Sequence, residues 1–246
     1  MIDLTPDRRT MLGAAALTAG LAAAAGLPGK ALAADTPSGP PRTTLSPAQA
    51  LDRLMAANRN FVAGGTNNPS DISTRRRLEL ARGQAPFAAL VGCADSRVGP
   101  EHLFGAGLGE LFIVRTAGNY IDDAGHGSLA YAVAALGVPL IVVLGHERCG
   151  AVDAATKLVT NNEQLPPTLT RMVQPILPAV IDARASVATG GDLVDHAIHI
   201  NVRHVARRLR ETTDPLLAEP LRSGRLMVVG AYYDLDTGAV EFFDRS

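Results

Sequence analysis

The sequence predicts an α/β fold. A central, mostly parallel β-sheet of about four strands plus an antiparallel edge strand is flanked by helices and preceded by an N-terminal helical arm. Three observations predict it. Apolar runs of strand length occur at 86–92 (PFAALVG), 111–116 (LFIVRT) and 139–145 (PLIVVLG). None alternates cleanly between apolar and polar residues, as expected of parallel strands buried on both faces. Helical stretches separate these runs, and near the C-terminus 225–233 and 240–243 flank Asp236-Thr237-Gly238, a hairpin signal that supplies the antiparallel edge.

The elements follow in order. Residues 1–34 read as an export signal rather than as fold: Arg8-Arg9, then a modest run of Ala, Leu and Gly, then Lys30 and the small-residue site Ala31-Leu32-Ala33. The paired arginines resemble a twin-arginine signal. The run is shorter and weaker than the roughly 20 apolar residues of a membrane span. Cleavage is therefore expected near Ala33 or Ala34, with no stable membrane insertion afterwards and a periplasmic or extracellular destination. Residues 35–45, DTPSGPPRTTL, read as a linker, and the folded domain is expected over 46–246. Ser46-Pro47 opens the helical arm, with Leu51, Leu54, Met55 and Phe61 along its apolar stripe and Gly64-Gly65 at its end. A short helix is expected at 71–82, others at 127–136 and 149–160, and helical structure broken by Pro175 and Pro178 over 169–212.

Composition narrows the function classes. The 246 residues carry 23 basic and 24 acidic side chains, a formal net charge of -1. That balance gives no footprint for nucleic acid or an anionic membrane. Arg75-Arg76-Arg77 reads as a solvated helix face. In an exported chain the two cysteines, Cys93 and Cys149, would ordinarily form a disulfide. Their placement argues otherwise.

Ligands of open α/β sheets sit beyond the carboxyl ends of strands. Cys93-Ala94-Asp95-Ser96-Arg97 directly follows the first apolar run, and His146-Glu147-Arg148-Cys149-Gly150 directly follows the third. Cys93, His146 and Cys149 offer two thiolates and one imidazole, a set suited to zinc. Catalytic zinc keeps three protein ligands and an open position for water. Asp95 and Arg97 are spaced so that the arginine fork can hold the carboxylate ionised beside that water, ready to accept its proton. Zinc lowers the pKa of bound water to about 7, making hydroxide available for attack on a substrate.

At these residues the chain resembles the β-carbonic anhydrases. The resemblance rests on VGCADSRVGPEHLF (91–104), GELFIVRTAGN (109–119) and GSLAYAVAALGVPLIVVLGHERCGAV (127–152), with the C-x-D-x-R and H-x-x-C pair as its most specific part. It extends over roughly 46–243. It implies one zinc ion per subunit bound by Cys93, His146 and Cys149, with Asp95 as a fourth ligand only in a closed state. It implies a catalytic Asp95–Arg97 dyad, and carbon dioxide and bicarbonate as substrates, interconverted by zinc-bound hydroxide. Substrate-pocket roles are implied for Gln84, Phe112, Tyr131 and Gly150. It implies a homodimer or tetramer, with the arm draped over the partner and the pocket near the interface. One subclass also binds inhibitory bicarbonate using a Trp, a Gly and an Arg. Those positions are Leu90, Gly92 and Arg115 here, so the open, non-inhibited subclass is expected. Related substrates (carbon disulfide, carbonyl sulfide) and a non-catalytic zinc- or bicarbonate-binding role stay open as alternatives. Nothing separates His102 and His126 from surface histidines.

Overall fold

A computed structural model describes residues 42–65 and 72–245. The export signal expected at 1–34 and most of the linker lie outside these residues. Ser46 caps α1 (Pro47–Val62), its hydroxyl accepting from the Gln49 N–H while the Gln49 side chain accepts from the Ser46 N–H. This reciprocal pair satisfies two donors that a helix start otherwise leaves bare. Ser73 caps α2 (Thr74–Leu80) by a single bond, its hydroxyl accepting from the Arg76 N–H. Then come β1 (Ala88–Cys93), the short α3 (Pro100–Leu103), β2 (Leu111–Thr116), α4 (Asp123–Ala134), β3 (Leu140–His146) and α5 (Gly150–Asn161). The helical region resolves into α6 (Pro167–Val173), a 3-10 turn at Gln174–Ile176, α7 (Leu177–Ser186) and α8 (Leu193–Arg210). The chain ends with α9 (Pro215–Arg222), β4 (Met227–Tyr233) and β5 (Val240–Asp244).

The sheet order is β2-β1-β3-β4-β5, parallel except for β5. Four parallel strands and one antiparallel edge are thus present, as the apolar runs and the hairpin signal predict. The expectation that all three apolar runs are buried on both faces fails for β2, which is half-buried because it lies at the edge of the sheet, and other differences lie at the helices. α4 begins at Asp123, four residues before the expected 127, because the Asp122 carboxylate accepts from the Gly125 N–H and fixes the start there. Two elements fall where no helix was expected: α3, a single turn, and α9, which carries Pro220 in its interior.

Every residue of β1 and β3 is buried. Ala89, Val91, Ile141 and Val143 pack on one face against Leu129 and Val133 of α4 and Val205 and Leu209 of α8. Ala88, Leu90, Val142 and Leu144 pack on the other against Leu51 and Leu54 of α1. Each such Leu, Val or Ile contributes roughly 1.5–3 kcal/mol of burial. α8 lies close on β3: a Cβ at Gly145 would stand 2.6 Å from Val202 Cγ2. A third apolar cluster sits at the carboxyl ends of the strands, where Val152, Ile176, Val180 and Ile198 surround Cys93 and Cys149. No described helix is long and apolar enough to cross a membrane.

Candidate metal centre

β1 and β3 are neighbours in space although β2 lies between them in sequence. The connections leave them in opposite directions, and such a switch point is where open α/β sheets form ligand crevices. Cys93 is the last residue of β1 and His146 the last of β3. Cys149 caps α5. Between them Arg148 takes the left-handed backbone conformation, with φ of 51°, which turns the chain back so that Cys149 faces the strand ends.

The three side chains converge. Their ligating atoms all lie within 4.8 Å of one another, and Cys93, His146 and Cys149 are 4%, 0% and 1% exposed. The sulfurs stand 3.9 Å apart and both thiols are free, far beyond the roughly 2.05 Å of a disulfide. His146 Nδ1 lies 2.9 Å from the Glu147 carbonyl oxygen. A carbonyl only accepts, so Nδ1 carries the proton and Nε2 of the neutral ring presents a bare lone pair. Nε2 is buried and has no hydrogen-bond partner among the described residues. The Cys149 thiol, hydrogen-bonding to Cys93, draws the Cys93 pKa well below that of a free thiol against the cost of burial, with help from His146 and the Gly118 N–H. Cys149 is pushed up in turn, by Cys93 and by burial. One sulfur of the pair readily carries charge; the second needs a cation.

Beside this cluster, Arg97 grips Asp95. Its Nε donates to Oδ1 at 3.0 Å, its Nη2 to Oδ2 at 2.7 Å, and its backbone N–H to Oδ1 at 2.9 Å. The Arg97 fork holds the carboxyl pKa down at about 2. Asp95 Oδ2 lies 3.9 Å from His146 Nε2. Arg115 reaches across from β2, donating to the carbonyls of Cys93 and Asp95, both at 2.7 Å. Leu90, on β1, is wholly buried in the core.

Of the residues expected to line a substrate pocket, Gly150 lies beside the cluster and the others lie elsewhere. Gly150 opens α5 beside Cys149 and lines a cavity of about 420 Å³ with Glu147, Arg148, Asp153, Asp192 and Asp195. Gln84 lines a surface groove with Arg77, Leu80, Leu108 and Gly109. Phe112 pairs with Ala89, four residues before Cys93, which places it about 13 Å back along the sheet. Its ring meets that of Tyr131 on α4 with centroids 6.4 Å apart. Among the described residues, no hydrogen bond or ring contact joins Gln84, Phe112 or Tyr131 to the cysteines and His146. His126 is bonded to Asp214 at 3.0 Å and ties α4 to the start of α9.

Sequence reasoning missed several residues that shape the centre. Arg148 forks onto Asp236 at 2.6 and 2.9 Å, and its carbonyl accepts from Arg97 Nη2 at 3.1 Å. Glu147 accepts from the Leu235 N–H at 3.0 Å. Asn201 donates to the Gly118 carbonyl at 2.9 Å. Only Asn201 had a signal, as a polar residue within the buried stripe of α8.

An open α/β sheet with a Cys-His-Cys group able to hold a metal ion and an arginine-held carboxylate at its switch point defines an enzyme-like site. Comparison with known proteins makes it particular. Residues 88–240 match the family model described as carbonic anhydrase. Carbonic anhydrase 2 of Mycobacterium tuberculosis is 42% identical over 200 residues, covering 78% of this chain and 91% of that protein. A β-carbonic anhydrase from Coccomyxa, solved with acetazolamide, is 27% identical with a TM-score of 0.61, covering 78% of this chain and 86% of that one. A tetrameric β-carbonic anhydrase from Sordaria macrospora is 25% identical with a TM-score of 0.60, covering 68% and 85%. The chain belongs to the β-carbonic anhydrase family and is a carbonic anhydrase.

Proposed function

We propose that this chain catalyses the zinc-dependent, reversible hydration of carbon dioxide to bicarbonate and a proton. One observation carries the reading: a buried, unpartnered His146 Nε2 faces two sulfurs, with an ionised carboxylate 3.9 Å away. The donor set fits zinc. Two sulfurs sharing one tetrahedral ion at about 2.3 Å each lie about 3.8 Å apart, against 3.9 Å between Cys93 and Cys149. Cys93, His146 and Cys149 would hold one ion per subunit. When bound, zinc supplies the Lewis acidity that makes water a nucleophile near neutral pH.

The chain's own residues supply the rest. The Glu147 carbonyl fixes the His146 tautomer and ring orientation. Asp95 Oδ2, nearest the cluster, accepts a proton from the attacking water. Arg97 keeps that carboxylate charged and turned toward itself, which supports the open subclass with Asp95 held off the metal. Arg115 is bonded to loop carbonyls, an arrangement that disfavours a second bicarbonate at that position. Gln84, Phe112 and Tyr131 are assigned to a substrate pocket completed by a second copy of the chain.

Stopped-flow carbon dioxide hydration with metal analysis tests this. The purified chain is expected to hold one zinc per subunit and to be active. Cys93→Ser is expected to lose metal and activity together; retention of activity without metal overturns the reading. We also propose export by the twin-arginine route. N-terminal sequencing of the exported protein should begin near Asp35, and an intact Met1 counts against cleavage.

A further inference from the structure

Behind Cys93 the chain makes a tight turn whose geometry is set from a distance. The Asn119 N–H bonds to the Thr116 carbonyl at 3.1 Å, closing a four-residue turn after β2. Gly118, third in that turn, has φ of 77°, the conformation of a type II turn and one that favours glycine. A Cβ there would stand 2.4 Å from Ile176 Cδ1 and 3.3 Å from Ala151 Cβ. Thus both backbone and packing require glycine. In this conformation the buried Gly118 N–H points at Cys93 Sγ, 3.3 Å away. The Gly118 carbonyl on the other side of the residue accepts from Asn201 Nδ2 at 2.9 Å.

Asn201 is 2% exposed and lies between Ile198 and Val202 on the face of α8 that packs against the sheet. An amide on such a face costs desolvation unless both its ends serve a purpose. Its Nδ2 is spent on one backbone carbonyl, 83 residues away in sequence. We infer that Asn201 is a positioning residue for the metal centre: it anchors the Gly118 turn so that the Gly118 N–H donates to the sulfur of Cys93. An N–H···S bond draws electron density from a thiolate, reducing what the sulfur gives a metal and limiting its protonation and oxidation. Neither carbonic anhydrase chemistry nor the ligand set itself requires this residue, and the inference rests on metal binding at Cys93, His146 and Cys149.

The test uses the full chain loaded with cobalt(II), whose sulfur-to-metal charge-transfer absorption reports electron density on the ligand. In Asn201→Ser and Asn201→Leu the band is expected to move to longer wavelength. Zinc retention against a competing chelator is expected to fall about ten- to a hundred-fold, as for other residues that orient ligands, because lost orientation and easier protonation of the sulfur outweigh its gain in donor strength. Val205→Ala, a core truncation on the same helix, controls for loss of packing and should leave the band in place. A band unmoved in both Asn201 variants, or moved equally by Val205→Ala, overturns the inference while leaving the metal reading intact. Wild-type chain that takes up neither zinc nor cobalt refutes the metal reading first. Should neither variant fold, cadmium-113-loaded wild type decides. Scalar coupling between the metal and the Gly118 amide proton, with slow exchange of the Asn201 side-chain amide, supports the inference. Absence of that coupling, or exchange as fast as at exposed Asn161, overturns it.

Discussion

Asp95 shows how much one residue depends on its neighbours. A carboxylate two residues from Cys93 has two possible partners, an ion held by the Cys-His-Cys group or Arg97. The arginine occupies both oxygens through three donors, and bidentate charge-assisted bonds of this kind are the strongest available to a carboxylate. A carboxyl pKa near 2 leaves it ionised across the working range, so it accepts rather than donates a proton. Asp95→Asn keeps the side chain's shape but removes its charge and one of the two oxygens that accept from Arg97. Zinc content is therefore expected to stay at one per subunit while the hydration rate falls about 10²–10⁴-fold, the usual weight of a positioned general base. Full activity in Asp95→Asn would remove Asp95 from the reaction.

At the scale of elements, the loop between β3 and α5 is held by the β4–β5 hairpin. Arg148 forks onto Asp236, Glu147 accepts from Leu235, and the Glu147 N–H bonds to the Tyr233 carbonyl. The same Arg148 offers its carbonyl to Arg97, so the hairpin reaches Asp95 through two arginines. The Arg148–Asp236 pair is exposed, with side chains 52% and 68% accessible, and exposed pairs add little stability, about 0–1 kcal/mol. Asp236→Ala is thus expected to leave the melting temperature nearly unchanged while lowering kcat more than it raises KM. Equal loss in both parameters, or none, would show the hairpin to be a bystander. This clamp marks the boundary of what the sequence discloses. β1 and β3 were legible because buried parallel strands are continuous apolar runs, and β2 because its apolar run has strand length, although as an edge strand it is only half-buried. Cys93, Asp95, Arg97, His146 and Cys149 were legible because their chemistry falls at the ends of those runs. Asp236 and Gly118 were not, because each acts through a partner at least 25 residues away and on one backbone atom, which leaves no pattern in composition or spacing. α4 was misplaced at its start because Gly125 and Gly127 argue locally against a helix, and the Asp122 cap outweighs them.

At the scale of the molecule, one side of the sheet is unfinished. Among the described residues β2 is an edge strand bonded only to β1, and most of its residues are half-buried rather than covered. Around it lie Ile72, Leu108 and Tyr131, which are 65%, 44% and 53% exposed. Ile72 and Leu108 line a groove with Leu111 of β2, Gln84 sits in another with Leu108, and Tyr131 stands against Phe112. Unpaired edges flanked by large apolar side chains are ordinarily blunted by charge or covered by another chain. All three proposed pocket residues outside the metal cluster belong to this side, and none contacts the cluster of its own chain. A second copy docked here would cover the edge and bring those residues to a site. A stable interface of this type buries at least about 1,000 Å², to which a single tyrosine contributes up to about 250 Å². Light scattering is expected to show a dimer or tetramer. Tyr131→Lys, which places a charge in the centre of that contact, should shift the mass toward the protomer. Because the substitution also touches the proposed pocket, dilution of the wild-type chain separates the two effects. Specific hydration activity should fall as the mass falls, and a wild-type protomer that stays fully active alone would show that each chain builds its pocket by itself.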